Sequence, residues 1–143
     1  VEENSPLKLD SPSGSLKAGF VIEDDDICVT KSVNSGFVGT SLDIDLRSKG
    51  ISRLVIVGFF TNMCVETTVS MAGNMGYDTY LIPDGCATTN RIGIDGVDYD
   101  PEVVHAMTVA NLHGEFCTAM KPSEAIALLH TDATNLNRVQ GNE

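Results

Sequence analysis

One cysteine in this sequence sits where a cysteine can do chemistry. Cys64 lies in the stretch SRLVIVGFFTNMCVETT, residues 52–68. The run 54–57 is short, apolar and β-branched-rich, as expected of a fully buried strand in a parallel sheet. Gly58 closes the run, residues 59–62 make a tight turn, and from Met63 the spacing becomes helical. Cys64, Thr68, Met71 and Met75 then share one stripe, and Val65, Val69 and Ala72 the next. The pattern puts Cys64 in the first turn of a helix springing from the carboxyl end of a central strand, the edge where open α/β sheets bind ligands. A helix amino terminus offers N–H groups and partial positive charge. These favour the thiolate, which is the nucleophile, and can receive a developing oxyanion. The competing reading is that Cys64 is a small buried hydrophobe, the ordinary fate of a free cysteine.

Other reactive side chains are less sharply placed. Lys31 ends the apolar run ICVT, residues 27–30, so it is a candidate cation at the same ligand edge, or a lysine that snorkels to solvent. His105 falls on an apolar helical stripe, which suits a hydrogen-bonded core histidine better than a base. Asp95, Asp98 and Asp100 lie in a glycine-rich loop but miss the EF-hand register, so they read as a solvated loop. Cys28, Cys64, Cys86 and Cys117 form no CxxC pair and no metal-like spacing with the three histidines. Three of them adjoin apolar runs, which suits buried, reduced thiols in a cytoplasmic protein.

The elements that must position these groups alternate. Residues 1–19 carry prolines, glycines and serines and read as irregular surface chain. A strand at 27–30 is followed by a small polar loop around Phe37. A helix at 42–49 comes next, capped by Thr40 or Ser41, with Leu42, Leu46 and nearby Ile44 supplying apolar contact and Gly50 stopping it. The Cys64 strand and helix follow, the helix ending at Gly76. Residues 78–83 form a strand ended by Pro83 and a turn at Asp84–Gly85, and residues 86–100 form a loop. Asp100-Pro101-Glu102 starts a helix running to about Gly114. A strand at 116–120 and a closing helix at 122–129, capped by Ser123, complete an α/β fold of four strands. The sheet is largely parallel, with helices on both faces in three layers. Residues 1–130 read as one domain, and 131–143 as a polar tail.

Composition sets limits. At 143 residues, 42% apolar, this is a single globular domain. A net charge of −11 argues against nucleic-acid partners and anionic membrane surfaces. No apolar run reaches membrane-spanning length, and the amino-terminal residues have neither the basic nor the apolar region of a signal peptide. They also lack an initiator methionine, as in a processed or truncated piece.

Taken together, several motifs resemble the isochorismatase-like cysteine hydrolases, in particular an amidase-type branch. They are SPL at 5–7, K-x-x-N-S-x-F-x-G-T from Lys31 to Thr40, GFFTNMCVETT from Gly58, MAGNMG from Met71, VH at 104–105 and LHGEF at 112–116. The similarity runs over about residues 5–129. It implies a doubly wound, largely parallel sheet and a cysteine that attacks an amide-like carbonyl, forms an acyl-enzyme and releases an amine or ammonia. By position Cys64 resembles the nucleophile and Lys31 the catalytic lysine, which beside the sulfur would favour the thiolate. The backbone N–H groups of Phe60 and Cys64 resemble the oxyanion hole, with a cis peptide expected between Phe59 and Phe60. Asn34, Phe37, Phe60 and Asn62 are the expected substrate contacts. A cysteine here favours C–N cleavage over vinyl-ether hydrolysis.

Two departures qualify the resemblance. The family's third catalytic group, an aspartate ending an amino-terminal strand, has no counterpart, and Asp10 in its Pro/Ser-rich setting is no substitute. The first strand, first helix and second strand are likewise unmatched, which implies a companion amino-terminal segment or a short form rebuilt by dimer contacts. Metal-binding members draw ligands from that region, so neither metal nor cofactor is expected. Ser70 also stands where close relatives often carry a basic residue. The expected protein is a homo-oligomeric hydrolase of a small carboxamide. Its rivals are a non-catalytic binding or scaffolding module and a redox thiol protein; the lack of a nearby resolving cysteine counts against the latter.

Overall fold

The computed structural model describes residue 15 and residues 19–140. The SPL motif and Asp10 lie outside them. In chain order the elements are α1 (Leu42–Ser48), β1 (Arg53–Phe59), a π-helical turn (Thr61–Val65), α2 (Glu66–Asn74), β2 (Asp78–Ala87), β3 (Arg91–Ile92), β4 (Asp98–Tyr99), α3 (Pro101–Leu112), β5 (Thr118–Ala119) and α4 (Pro122–Gln140). Strands β1, β2 and β5 form a parallel sheet in that order, and β3 and β4 a short antiparallel pair. Parallel strands need crossovers, and these follow the rule: α2 links β1 to β2, and α3 lies between β2 and β5. The architecture is the expected α/β one.

The helical stripe behind Cys64 builds the core. Val65 and Val69 meet Leu81 of β2, Leu112 of α3 and Cys117, with Ile56, Cys86, Val109 and Phe116 packed around them. A second cluster joins Leu46 of α1, Ala72 of α2 and Tyr77, with Leu54, Ile56 and Phe37 against it. Along β2, Leu81 and Ile82 are both buried although a strand turns them to opposite faces. The face of Leu81 is covered by α2 and α3, and α4, which buries Ala125, also lies against β2. Tyr77 ties α1 to the end of α2. Its hydroxyl donates to Asp43 Oδ1 at 2.6 Å, and Arg47 pairs with the same carboxylate at 2.8 Å. These contacts hold the Asp43 carboxyl below its ordinary range, the Tyr77 hydrogen bond contributing most. Burial first, and then Asp43, push the Tyr77 hydroxyl up.

Several expectations need correction. Residues 27–30 form no strand, because no described strand offers them a ladder. Cys28 is exposed rather than buried, and only Ile27 reaches the second cluster. Within the described residues β1 is an edge strand, not a central one, and is half-buried; Val57 is 57% and Phe59 61% exposed. Strand β2 does not stop at Pro83. It continues to Ala87 through an irregularity, since Ile56 pairs with Leu81 but Gly58 with Cys86, so Asp84 and Gly85 sit in a bulge.

The loop at 86–100 contains the β3–β4 pair. Its carboxylates serve local structure: Asp95 accepts from Val97 N–H, Asp98 from Asn90, and Asp100 from Glu102 N–H as the cap of α3. Ile44 points to solvent, and the Ser41 hydroxyl bonds Asp45, leaving Thr40 to accept the Leu42 N–H. At α4 it is Glu124 that takes the Lys121 N–H, while Ser123 lies inside the helix. That helix continues past Leu129 to Gln140, through most of the stretch expected to be a polar tail.

Candidate active site

The site begins where β1 ends. Gly58 has φ +143°, a backbone region that side-chain-bearing residues rarely adopt, so glycine is needed where the strand breaks into the turn. The peptide between Phe59 and Phe60 is cis, as the resemblance implied. The Phe60 carbonyl then accepts from the N–H groups of Met63 and Val65, winding residues 61–65 into a π turn rather than an α turn. Cys64 sits in this turn, half-buried, at the head of α2.

Lys31 and Cys64, 33 positions apart in sequence, meet here. Lys31 Nζ donates to Cys64 Sγ at 3.3 Å and to the Val33 carbonyl at 2.9 Å. Asn34 Oδ1 lies 3.8 Å from the same sulfur. Asn62, two residues before the cysteine, accepts from the Thr88 hydroxyl at 2.5 Å, joining the turn to the residue after β2. Phe60 is half-buried in the turn itself. Phe37 is not brought to this cluster. Its ring lies 5.7 Å from Tyr77, packed on the second core cluster. The loop's other apolar residues, Val33 and Val38, are exposed, leaving Phe37 its apolar anchor.

Three contacts escaped sequence reasoning. Thr61 is fully buried, and its hydroxyl lies 2.9 Å from His105 Nδ1, which makes His105 a hydrogen-bonded histidine behind the turn. Thr68 accepts from Gly36 N–H at 3.0 Å and donates to the Cys64 carbonyl at 2.6 Å, joining the Lys31 loop to the Cys64 helix. Thr88 bonds Asn62 as above.

Beside the turn, a cavity of about 230 Å³ opens at the carboxyl end of β2, edged by Asp84, Cys86, Thr88, Glu102 and His105. Burial raises the Cys86 thiol, partly offset by a hydrogen bond from the Gly58 backbone, and burial pushes Cys117 up to about 11. A second, open groove runs along α2 past Val33, Ser35, Thr67 and Met71, where burial raises the Glu66 carboxyl. Among the described residues, no group of three His, Cys, Asp or Glu side chains could hold a metal ion. No described helix is long and apolar enough to cross a membrane.

A half-buried thiol at a helix start, beside a lysine ammonium, is equipped for nucleophilic attack on a carbonyl. Comparison with known proteins identifies the family. The sequence pattern of the Isochorismatase domain matches residues 2–118. The isochorismatase family protein YrdC of Bacillus subtilis is 40% identical over 114 residues, 76% of this chain and 61% of YrdC. The ureidoacrylate amidohydrolase RutB of Agrobacterium fabrum is 35% identical over 91 residues, 64% of this chain and 36% of that enzyme. A crystal structure of an isochorismatase-family protein from Chromobacterium violaceum superposes with a TM-score of 0.85 at 36% identity, covering 92% of this chain and 68% of that one. The chain thus spans about three fifths of YrdC and a smaller share of RutB.

Proposed function

The chain belongs to the isochorismatase family, and from that premise we propose that it is a cysteine hydrolase cleaving the C–N bond of a small carboxamide. The observation that carries this reading is the 3.3 Å contact between Lys31 Nζ and Cys64 Sγ at the head of α2. The Lys31 ammonium stabilises the thiolate, which attacks the amide carbon. The carbonyl oxygen becomes an oxyanion received by the backbone N–H groups of Phe60 and Cys64. Collapse breaks the C–N bond, the amine leaves with a proton, and a thioester remains on Cys64. Water then cleaves the thioester, freeing the acid and restoring the thiol. Asn34, 3.8 Å from the sulfur, and Phe60 and Asn62 of the nucleophile turn are the substrate contacts this reading assigns. The similarity to RutB, a ureidoacrylate amidohydrolase, supports an amide-type substrate.

The thiol proton needs a base. The resemblance implies an aspartate, and we assign it to a companion amino-terminal segment. Among the described residues no carboxylate is bonded to the Lys31 ammonium or the Cys64 sulfur, whose hydrogen-bond contacts there are the Val33 carbonyl, Asn34 and each other. That same observation favours a second reading, a non-catalytic binding module that keeps the pocket without the base.

The test is amine release from a panel of small amides, with Cys64→Ala and Lys31→Met as controls. Loss of a nucleophile costs about a thousandfold or more, and loss of a positioned charge about a hundredfold. Turnover retained in Cys64→Ala would sink the reading. A parent chain that binds amides without turning them over would favour the binding module.

A further inference from the structure

Lys31 approaches Cys64 from a loop, residues 31–40, that has no strand to hold it. We propose that Thr68 is the positioning residue that clamps this loop to the nucleophile helix and so sets the contact between Lys31 and Cys64. This inference rests on the cysteine-hydrolase reading and assigns a role within it.

The geometry is a two-ended clasp. The Thr68 hydroxyl spends its proton on the Cys64 carbonyl at 2.6 Å, one turn back along the helix. Its oxygen accepts the Gly36 N–H at 3.0 Å. One side chain therefore grips the residue that carries the sulfur and the loop that carries the ammonium. Each bond polarises the hydroxyl in favour of the other.

Gly36 is where the loop is pinned. Its N–H goes to Thr68, its carbonyl accepts from the Thr40 hydroxyl at 2.6 Å, and both Ser35 and Gly36 are buried. A methyl added at Gly36 would meet Leu42 Cδ2 at 3.4 Å and Thr68 Cγ2 at 3.5 Å, so loop and helix are already in contact there. From this pin the chain reaches back through Asn34, 3.8 Å from the sulfur, and Val33, whose carbonyl holds the Lys31 ammonium at 2.9 Å. Without the clasp, the lysine and the asparagine lose their shared anchor to α2.

The test compares Thr68→Val, which keeps the shape and loses both bonds, with Thr68→Ser, which keeps the hydroxyl. The readout is the rate of iodoacetamide alkylation at Cys64, pH 7, resolved by peptide. Exposed Cys28 calibrates the reagent, and buried Cys117 reports in the same sample whether the chain is folded. Thr68→Val is expected to slow Cys64 about tenfold with Cys117 still protected, the size of one lost charge-assisted contact. Thr68→Ser is expected to stay within about twofold of the parent. In a Lys31→Met background Thr68→Val should have almost no further effect.

An unchanged Cys64 rate in Thr68→Val, an equal drop in Thr68→Ser, or an undiminished drop without Lys31 would each overturn the proposal. If Thr68→Val leaves Cys117 reactive, Thr68→Ala, which also removes the hydroxyl but adds no bulk, takes its place, and a parent-like Cys64 rate in that folded variant would overturn the proposal too. The two readings fail separately. Absent hydrolysis with a Thr68-dependent Cys64 rate defeats only the hydrolase, and full hydrolysis in Thr68→Val defeats only the clasp.

Discussion

Thr61 has no exposed surface, and its hydroxyl lies within hydrogen-bond distance of His105 Nδ1. A buried hydroxyl left without its partner costs about 1–3 kcal/mol, more than the bond itself contributes net. Because Thr61 begins the π turn that holds Cys64, that cost falls on the nucleophile turn. His105→Ala is therefore expected to lower unfolding stability in urea by about 1–3 kcal/mol. Thr61→Val combined with His105→Ala should recover part of the loss by removing the stranded hydroxyl. Equal stability of parent and His105→Ala would show that the bond is replaced by another partner.

At the scale of elements, the placement of α2 depends on a residue with no side chain. A Cβ built on Gly73 would lie 2.5 Å from the Phe116 carbonyl oxygen and 3.1 Å from Phe116 Cα. Those are backbone atoms of the turn before β5 and cannot swing aside. Glycine here lets α2 lie directly on that turn, which in turn brings Val65 and Val69 onto Leu112 and Cys117. Gly73→Ala would be favourable in an exposed helix, by roughly 1 kcal/mol. Here overpacking reverses the sign, and a net loss of about 1–3 kcal/mol is expected. Thermal unfolding measures it, and a stabilised Gly73→Ala would mean that α2 and the turn are less closely packed than described.

For the whole molecule, charge and burial set how stability responds to pH. Burial raises the Cys117 thiol from its ordinary 9.0 to about 11, so the folded chain keeps a proton that the unfolded chain releases. That contribution is complete below the unfolded value and is lost as pH climbs toward the folded one. Tyr77, raised by burial and by Asp43, acts in the same direction at higher pH. Stability in urea is therefore expected to decline between pH 9 and 11. Cys117→Ala should show a shallower decline, and an identical slope in both proteins would remove Cys117 as its source. A net charge of −11 adds self-repulsion, so the comparison belongs at one ionic strength.

Local rules were legible in the sequence wherever one residue's chemistry decides one feature. Asp100 and Pro101 start α3, the stripe of Val65, Val69 and Ala72 faces the core, and the strand–turn–helix places Cys64 at a helix head. Each depends on periodicity or capping within a few residues. The motif pattern carried the α/β class and the family in the same way. Only the tertiary structure decided what depends on partners distant in the chain. Whether residues 27–30 pair as a strand depends on a neighbour, and none is described. Where β2 ends depends on its register with β1, which runs past Pro83 through a bulge. That Phe37 packs on Tyr77, 40 positions away, depends on how its loop folds back on the second core cluster. The clasp from Gly36 through Thr68 to Cys64 joins residues 32 positions apart, a separation that local spacing cannot encode. The sequence thus determined which residues can react, and the packing of loop against helix decided which of them stand together.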